Sequence, residues 1–592
     1  MRNKIIILLT VLLSTAANSQ PTLPPLRTER PRILIKSDTF ERVQEQALTD
    51  TLLQRYIGQV VARADQMVEW PLPVYDVSQG NMLDISRDCL DRTLTLVTAF
   101  RLTTDERYAQ AAKQLLLTVS RFRDWDFYHF LDVAEMANAV AIGYDWLNDW
   151  LDSATLDELR LALIRNALVP GMAVYGVSPW QYWLKVDHNW NQVCNGGLAI
   201  AALAIADTDP VYAEHIVPRA IENIPYAMAS YAPDGAWGEG VSYWFYATRY
   251  TVYCLATLLA SLGTDFGLSE AQGFSQTGYF PIHMTTPAGS WFSYADINMN
   301  NGSKPLPVMF WIAQRFGNPH FSQYEHLMLR RYEATALDVL YYTPPATAAS
   351  LPLDASFDGN GSFVTMRETW SSQDGLFVAV SGGDNRINHG HLDKGSFELE
   401  QNGVKWVRDL GSDNYFLPGY WEKEEGGRRW RYFRMNSEGH AVPIINGHSQ
   451  HVEADTRFSA LNLNTDEPSA TIDLTEAYAG MAAKVERTFR LTHHRRALLV
   501  DDRYECSPAT RSIRWQVITR AHVNGGGRHL LLLQDGHRLH MSLLTPGLRF
   551  RVESACRKAP EASNEGFSII SIDIPPRQTV ERISVLFAPP LK

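Results

Sequence analysis

The chain has 592 residues, 45% hydrophobic and 20% charged, with a formal net charge of -11 at pH 7. That length is more than one ordinary domain organises around a single core, so two large units are expected. The negative balance argues against a nucleic-acid binder, because nothing offsets phosphate repulsion over the whole chain.

Residues 1–20 read as a secretory signal peptide. Arg2 and Lys4 precede an apolar run from Ile5 to Leu13, and Ala16-Ala17-Asn18-Ser19 offers small residues for cleavage. The run is too short to cross a bilayer, and no later stretch of about eighteen apolar residues follows. The expectation is an exported protein, periplasmic or secreted, with no membrane span. The five cysteines, Cys89, Cys194, Cys254, Cys506 and Cys556, are scattered and form no CxxC. They read as mostly buried thiols with room for one bridge, not as a disulfide framework.

Residues 21–345 carry apolar residues at helical spacing: 40–47, 89–102, 109–122, 130–151, 156–167, 196–206, 219–230 and 246–262. Helix after helix with no strand between them predicts hairpins wrapped into an incomplete (α/α) toroid. The character changes at Thr343-Pro344-Pro345. Over 346–592, short alternating runs such as Leu376 to Val380 and Val485 to Leu491, punctuated by Gly, Asn and Asp, predict an antiparallel β-sandwich. The fold class is therefore α+β multidomain, with a cleft between its parts as the place for a ligand.

Three polar constellations stand out. In Asp187-His188-Asn189-Trp190-Asn191, helical spacing puts His188, Asn191 and Asn195 on one face, suited to a carboxylate or sugar hydroxyl, or to capping a helix end. Glu239-Gly240-Val241-Ser242-Tyr243 precedes Tyr246 one turn on; a tyrosine there is either packing or a proton donor and acceptor. In Asn388-His389-Gly390-His391-Leu392-Asp393, strand alternation would point both imidazoles at one site, with Asp409 and His440 following. Trp180, Trp183, Trp190, Trp237 and Trp244 surround these motifs as candidate sugar-stacking rings. The run Arg428 to Arg434 interleaves cations with aromatics, as an acidic polysaccharide or a solvated loop would have it. Arg87 is an anion-binding candidate, or a partner for Asp91 at i+4.

With these motifs in this order, the mature chain resembles the heparinase II/III-like polysaccharide lyases. The resemblance implies β-elimination on uronic-acid glycosaminoglycans such as hyaluronan, chondroitin sulfate or heparan sulfate, with alginate as the neighbouring substrate. It implies Tyr243 and His389 as catalytic residues, and a carboxylate-neutralising position within His188 to Asn191. Helical phase favours His188 with Asn191, and Asn189 is the alternative. Asn189, Trp190, Glu239, Tyr246 and Arg87 would touch substrate. His391, Asp409 and His440 would hold a structural divalent metal, zinc or manganese, with His448 as a substitute for His440, since Ala441-Val442-Pro443 departs from the usual Asn-Thr there. The partner implied is an anionic polysaccharide. Two other classes stay open: a toroid glycoside hydrolase using Asp145, Asp234 or Glu239, which would need two carboxyl groups across one bond, and a non-catalytic glycan binder.

Overall fold

The computed structural model describes residues 21–78, 80–176, 181–299 and 302–590; the signal-peptide segment and Trp180 lie outside them. Fourteen α-helices come first: α1 Thr39–Ala47, α2 Thr51–Val68, α3 Leu83–Thr103, α4 Glu106–Ser120, α5 Phe130–Trp146, α6 Ser153–Leu163, α7 Val169–Tyr175, α8 Asn189–Ala204, α9 Pro210–Met228, α10 Val241–Leu262, α11 Tyr279–Met284, α12 Val308–Phe316, α13 Pro319–Met328 and α14 Ala336–Leu340.

Helices α3, α5, α8 and α10 pack side by side as an inner layer, with α2, α4, α6 and α9 outside. Composition explains the layering. Every residue of α5 is buried, and only Trp190 of α8 is not, in a Gly- and Ala-rich sequence that admits close helix approach. The outer α2, α4 and α6 are capped by Asp50, Asp105 and Asp152, each accepting backbone N–H bonds of the first turn. The four inner helices have no such side-chain cap. Contacts tie their N-terminal ends together: Arg87 to Glu135, Glu135 to Tyr246, and His129 to Trp190. Four positive helix ends thus converge on one side of the toroid.

Two spans differ from the sequence expectation. α8 starts at Asn189, seven residues before the apolar run, and α9 runs through Pro218 and Pro225, which a pattern reading treats as breaks. The segment between α11 and α12 leaves the toroid. Isolated bridges Thr285 to Trp291, Ser290 to Gly302 and Asn298 to Gly411 carry it against the sheet domain.

The C-terminal part is two antiparallel sheets, as expected. The larger has thirteen strands and the smaller four, among them β1 Ala355–Phe357, β2 Gly361–Arg367, β3 Phe377–Asp384, β4 Phe397–Gln401 and β5 Val404–Val407. The last strand, Val580–Ala588, is not at an edge; it pairs with Ala497–Glu505 on one side and His537–Leu543 on the other. Its apolar face shares a core with Trp406, Trp515 and Phe489. The two parts are joined by packing as well as by chain. Phe357 and Phe363 sit edge-on or tilted against Phe280 of α11 at 5.4 and 5.7 Å, and Phe363 lies 4.7 Å from Tyr294. The five cysteines are all free thiols.

Candidate active site

At this seam the phenol of Tyr243 stacks on the imidazole of His389, ring centroids 4.0 Å apart and 17° from parallel. Tyr243 is placed by the start of α10. Gly240 precedes the helix at φ +101°, where a Cβ would meet Ile297 Cδ1 at 2.5 Å, so glycine is required there. His389 is not on a strand. It sits in the loop before β4 at φ +60°, and that turn, not strand alternation, aims the two imidazoles.

Both rings meet one carboxylate. His389 Nδ1 lies 2.8 Å from Asp296 Oδ2, and His391 Nε2 lies 2.9 Å from Asp296 Oδ1. Asp296 also accepts from Tyr420 Oη at 2.5 Å and from Arg429 Nη2 at 3.2 Å. Burial opposes its ionisation, but the Arg429 guanidinium and the two imidazoles outweigh that and hold its carboxyl well below the usual range. An ionised carboxylate only accepts. His389 therefore donates from Nδ1 and His391 from Nε2, which in the neutral rings puts the lone pairs at His389 Nε2 and His391 Nδ1.

The phenol is neutral at rest. Burial first, then the nearby Asp296 charge, push the Tyr243 hydroxyl above its ordinary value, although a hydrogen bond with Tyr415 Oη at 2.9 Å pulls the other way. Trp421, half-exposed, caps the far edge of His389 at 5.5 Å.

Glu239 is buried behind the pair. It accepts from Asn189 Nδ2 at 3.1 Å, Asn388 Nδ2 at 2.8 Å and Trp237 Nε1 at 3.0 Å, and stands 3.8 Å from His389 Nε2. It is buried, as Asn189 is, and holds the Asn189 and Asn388 amides in place. Of the residues of the early motif, Asn189 is the one beside Glu239. His188 is the extended residue before α8, which removes the helical phase that paired it with Asn191. Asn191 is fully buried and donates to the Leu184 and Asn223 carbonyls, so it holds the backbone and faces no cleft. His188 remains nearby; burial lowers its pKa, with Glu239, His389 and Lys423 in its field.

His391, Asp393 and His440 offer ligand atoms all within 4.8 Å of one another, and all three are buried. Two of those groups have orphaned atoms: His391 Nδ1 and Asp393 Oδ2 lack hydrogen-bond partners. Two imidazoles and a carboxylate suit a divalent ion, and the His391-to-Asp296 bond is the outer support such ligands use. Asp393 stands in this trio where Asp409 was expected. Asp409 instead reaches His440 Nδ1 at 2.7 Å and His440 Nε2 donates to the Arg434 carbonyl at 2.8 Å, so His440 would give up one of these bonds to hold a metal. Burial alone would lower the His440 pKa, but Asp409 outweighs it and raises it. His448 is not in the cluster.

Other expectations fare differently. Tyr246 is buried and donates to Glu135 at 2.6 Å, a core role. Trp190 is partly exposed beside His129 and Tyr182, whereas Trp183, Trp237 and Trp244 are sealed in the core and face no sugar. Arg87 pairs with Glu135 at 3.2 Å; Asp91 is taken by Arg63. In the basic run, Arg429 and Arg434 are buried structural donors and Arg428 pairs with Glu422. Of the carboxyl groups that the hydrolase alternative would use, Asp145 binds Arg30 and the backbone of Arg32 and Ile33, and Asp234 accepts from the Asp358 backbone.

Sequence reading missed Asp296 and Tyr415, and took Arg429 for part of a polysaccharide-binding or solvated run where it is the buried partner of Asp296. The one available signal was a lone acid inside the aromatic stretch Trp291 to Ile297, since a buried charge demands partners.

Residues 360–582 match the family model described as Heparinase II/III-like, C-terminal. This part of the sheet domain is therefore similar to the C-terminal domain of the heparinase II/III-like proteins. Among solved structures, a heparinase III has a TM-score of 0.58 at 12% identity, covering 84% of this chain and 76% of that one. A heparan sulfate lyase HepC from Pedobacter heparinus has a TM-score of 0.57 at 12% identity, covering 94% of this chain and 92% of that one. These likenesses establish the shared toroid-plus-sandwich fold. No curated protein matches the sequence.

Proposed function

We propose that the protein is a polysaccharide lyase that cleaves uronic-acid glycosaminoglycans, such as heparan sulfate, chondroitin sulfate or hyaluronan, by β-elimination. The observation that carries the reading is the Tyr243–His389 stack, with the Asn189 amide behind it, at the seam of a heparinase III-like fold.

The chemistry follows from the proton positions. Removing the C5 proton of a uronate builds charge on its carboxylate, and the His188 imidazole and Asn189 amide are the nearby polar groups to stabilise it. His389 Nε2 takes the C5 proton. The C5–H electrons form the C4–C5 double bond, the C4–O bond breaks, and the Tyr243 hydroxyl protonates the departing oxygen. A phenol that is neutral at rest suits the acid role. Where the leaving oxygen and the C5 proton share a face, Tyr243 serves both steps.

A divalent ion, zinc or manganese, would be held by His391, Asp393 and His440 and would fix the loop that carries His389. Its role in this reading is structural. Export through residues 1–20 places the enzyme where such polymers occur.

Incubation with each polymer while following ultraviolet absorbance of the new double bond tests the proposal. Absorbance that rises with a glycosaminoglycan supports it. A rise with alginate alone would move the substrate, and no rise with any uronic-acid polymer would overturn the reading.

A further inference from the structure

A cavity of about 460 Å³ lies between α3, α5, α10 and the segment leading into α12. On α10, Tyr243, Tyr246 and Arg249 follow at i, i+3 and i+6. Arg249 is thus roughly 9 Å along the axis from the catalytic phenol. Its cations are arranged unusually. Arg63 is matched by Asp91 and Arg87 by Glu135. Arg249 and Lys304 have no acidic partner among the described residues, and Arg249 Nε is buried without any hydrogen bond. Glu333, at the exposed rim, is the remaining acid of the lining.

Aromatic rings hold these cations in place. Arg249 lies 5.3 Å from the Phe245 ring and 4.9 Å from Tyr250, and Lys304 lies 5.1 Å from Phe245. An oxyanion entering here would meet a guanidinium fork with free donors and an ammonium, and would relieve their mutual repulsion.

We infer that this cavity is an anion subsite that binds an acidic substituent of the glycan, a sulfate ester or a uronate carboxylate, one or two sugars from the bond that is broken. The inference rests on the polysaccharide reading above and names the part of the substrate that the toroid recognises.

Calorimetric titration of the full-length protein tests it, in a Tyr243→Phe background so that no cleavage intervenes. The probes are a sulfated uronic-acid hexasaccharide, its unsulfated counterpart and sodium sulfate. Arg249→Gln should weaken hexasaccharide binding about tenfold and Lys304→Gln about threefold, while Arg249→Lys recovers most of the loss. Loss confined to the sulfated sugar assigns a sulfate ester, and loss on both assigns a carboxylate. Unchanged affinity for both sugars overturns the subsite, even if sodium sulfate binding falls. Lys304 is on the surface, so its variant remains informative if Arg249→Gln does not fold. Because binding is read without turnover, absence of unsaturated product would sink the lyase reading and leave this result standing.

Discussion

His389 and Asp296 are 93 residues apart in sequence and joined by a 2.8 Å hydrogen bond that fixes which imidazole nitrogen is free. Asp296→Asn should release that tautomer and remove the charge shared with His391. The expected loss in kcat is between about 10²- and 10⁴-fold with a smaller change in KM, measured by the unsaturation assay. Activity near wild type would show that the bond is incidental.

Tyr243→Phe should lower turnover about 10³-fold while oligosaccharide binding stays within about twofold, because the phenol contributes a proton and little contact. Tyr415→Phe, which removes only the neighbouring hydroxyl, should have a milder effect. Equal loss in both would move the acid role to the phenol pair.

The two asparagines of the early motif should separate cleanly. Asn189→Ala is expected to lower kcat and, because it takes a donor from the buried Glu239 carboxylate, to lower the melting temperature modestly. Asn191→Ala strips the Leu184 and Asn223 carbonyls of their donor and should cost about 2–4 kcal/mol of stability, read by denaturant unfolding.

Metal content gives a further check. Elemental analysis of the purified protein should find about one divalent ion per chain, lost in His391→Ala and in Asp393→Asn, with a lower melting temperature in both. Retention in Asp393→Asn but loss in Asp409→Asn would return the ligand role to Asp409.

Stability should also depend on the buried pair Glu325 and Asp338, which share a hydrogen bond. Burial raises both, and Asp338 reaches about 6. A carboxyl whose folded pKa exceeds its unfolded value of 3.8 holds its proton longer in the folded state. Its cost is absent below the unfolded value, grows as pH rises from about 4 to 6, and is complete above that. Asp338→Asn should therefore gain melting temperature relative to the wild type at pH 7.5 and little at pH 4.

The toroid, the sandwich and Tyr243 were legible because helical and strand periodicity and local motifs carry them. Asp296 was not, because it sits on irregular backbone with no period, and its partners are supplied by tertiary contact. The His389 and His391 pair was recognised for its residues but on the wrong local geometry: a left-handed turn, not a strand, aims the rings. Asn191 was favoured by a helix assumed to begin earlier than it does. One residue of shift at a helix start exchanged a buried structural amide for the one beside Glu239.

The final strand, Val580–Ala588, is clasped between two others deep inside the large sheet. Without it, Ala497–Glu505 and His537–Leu543 would face each other across an unfilled gap, and Phe397, at the start of β4, would lose its contact with Phe587. The bed beneath the loop that carries His389 is thus laid in part by a strand nearly two hundred residues downstream of it.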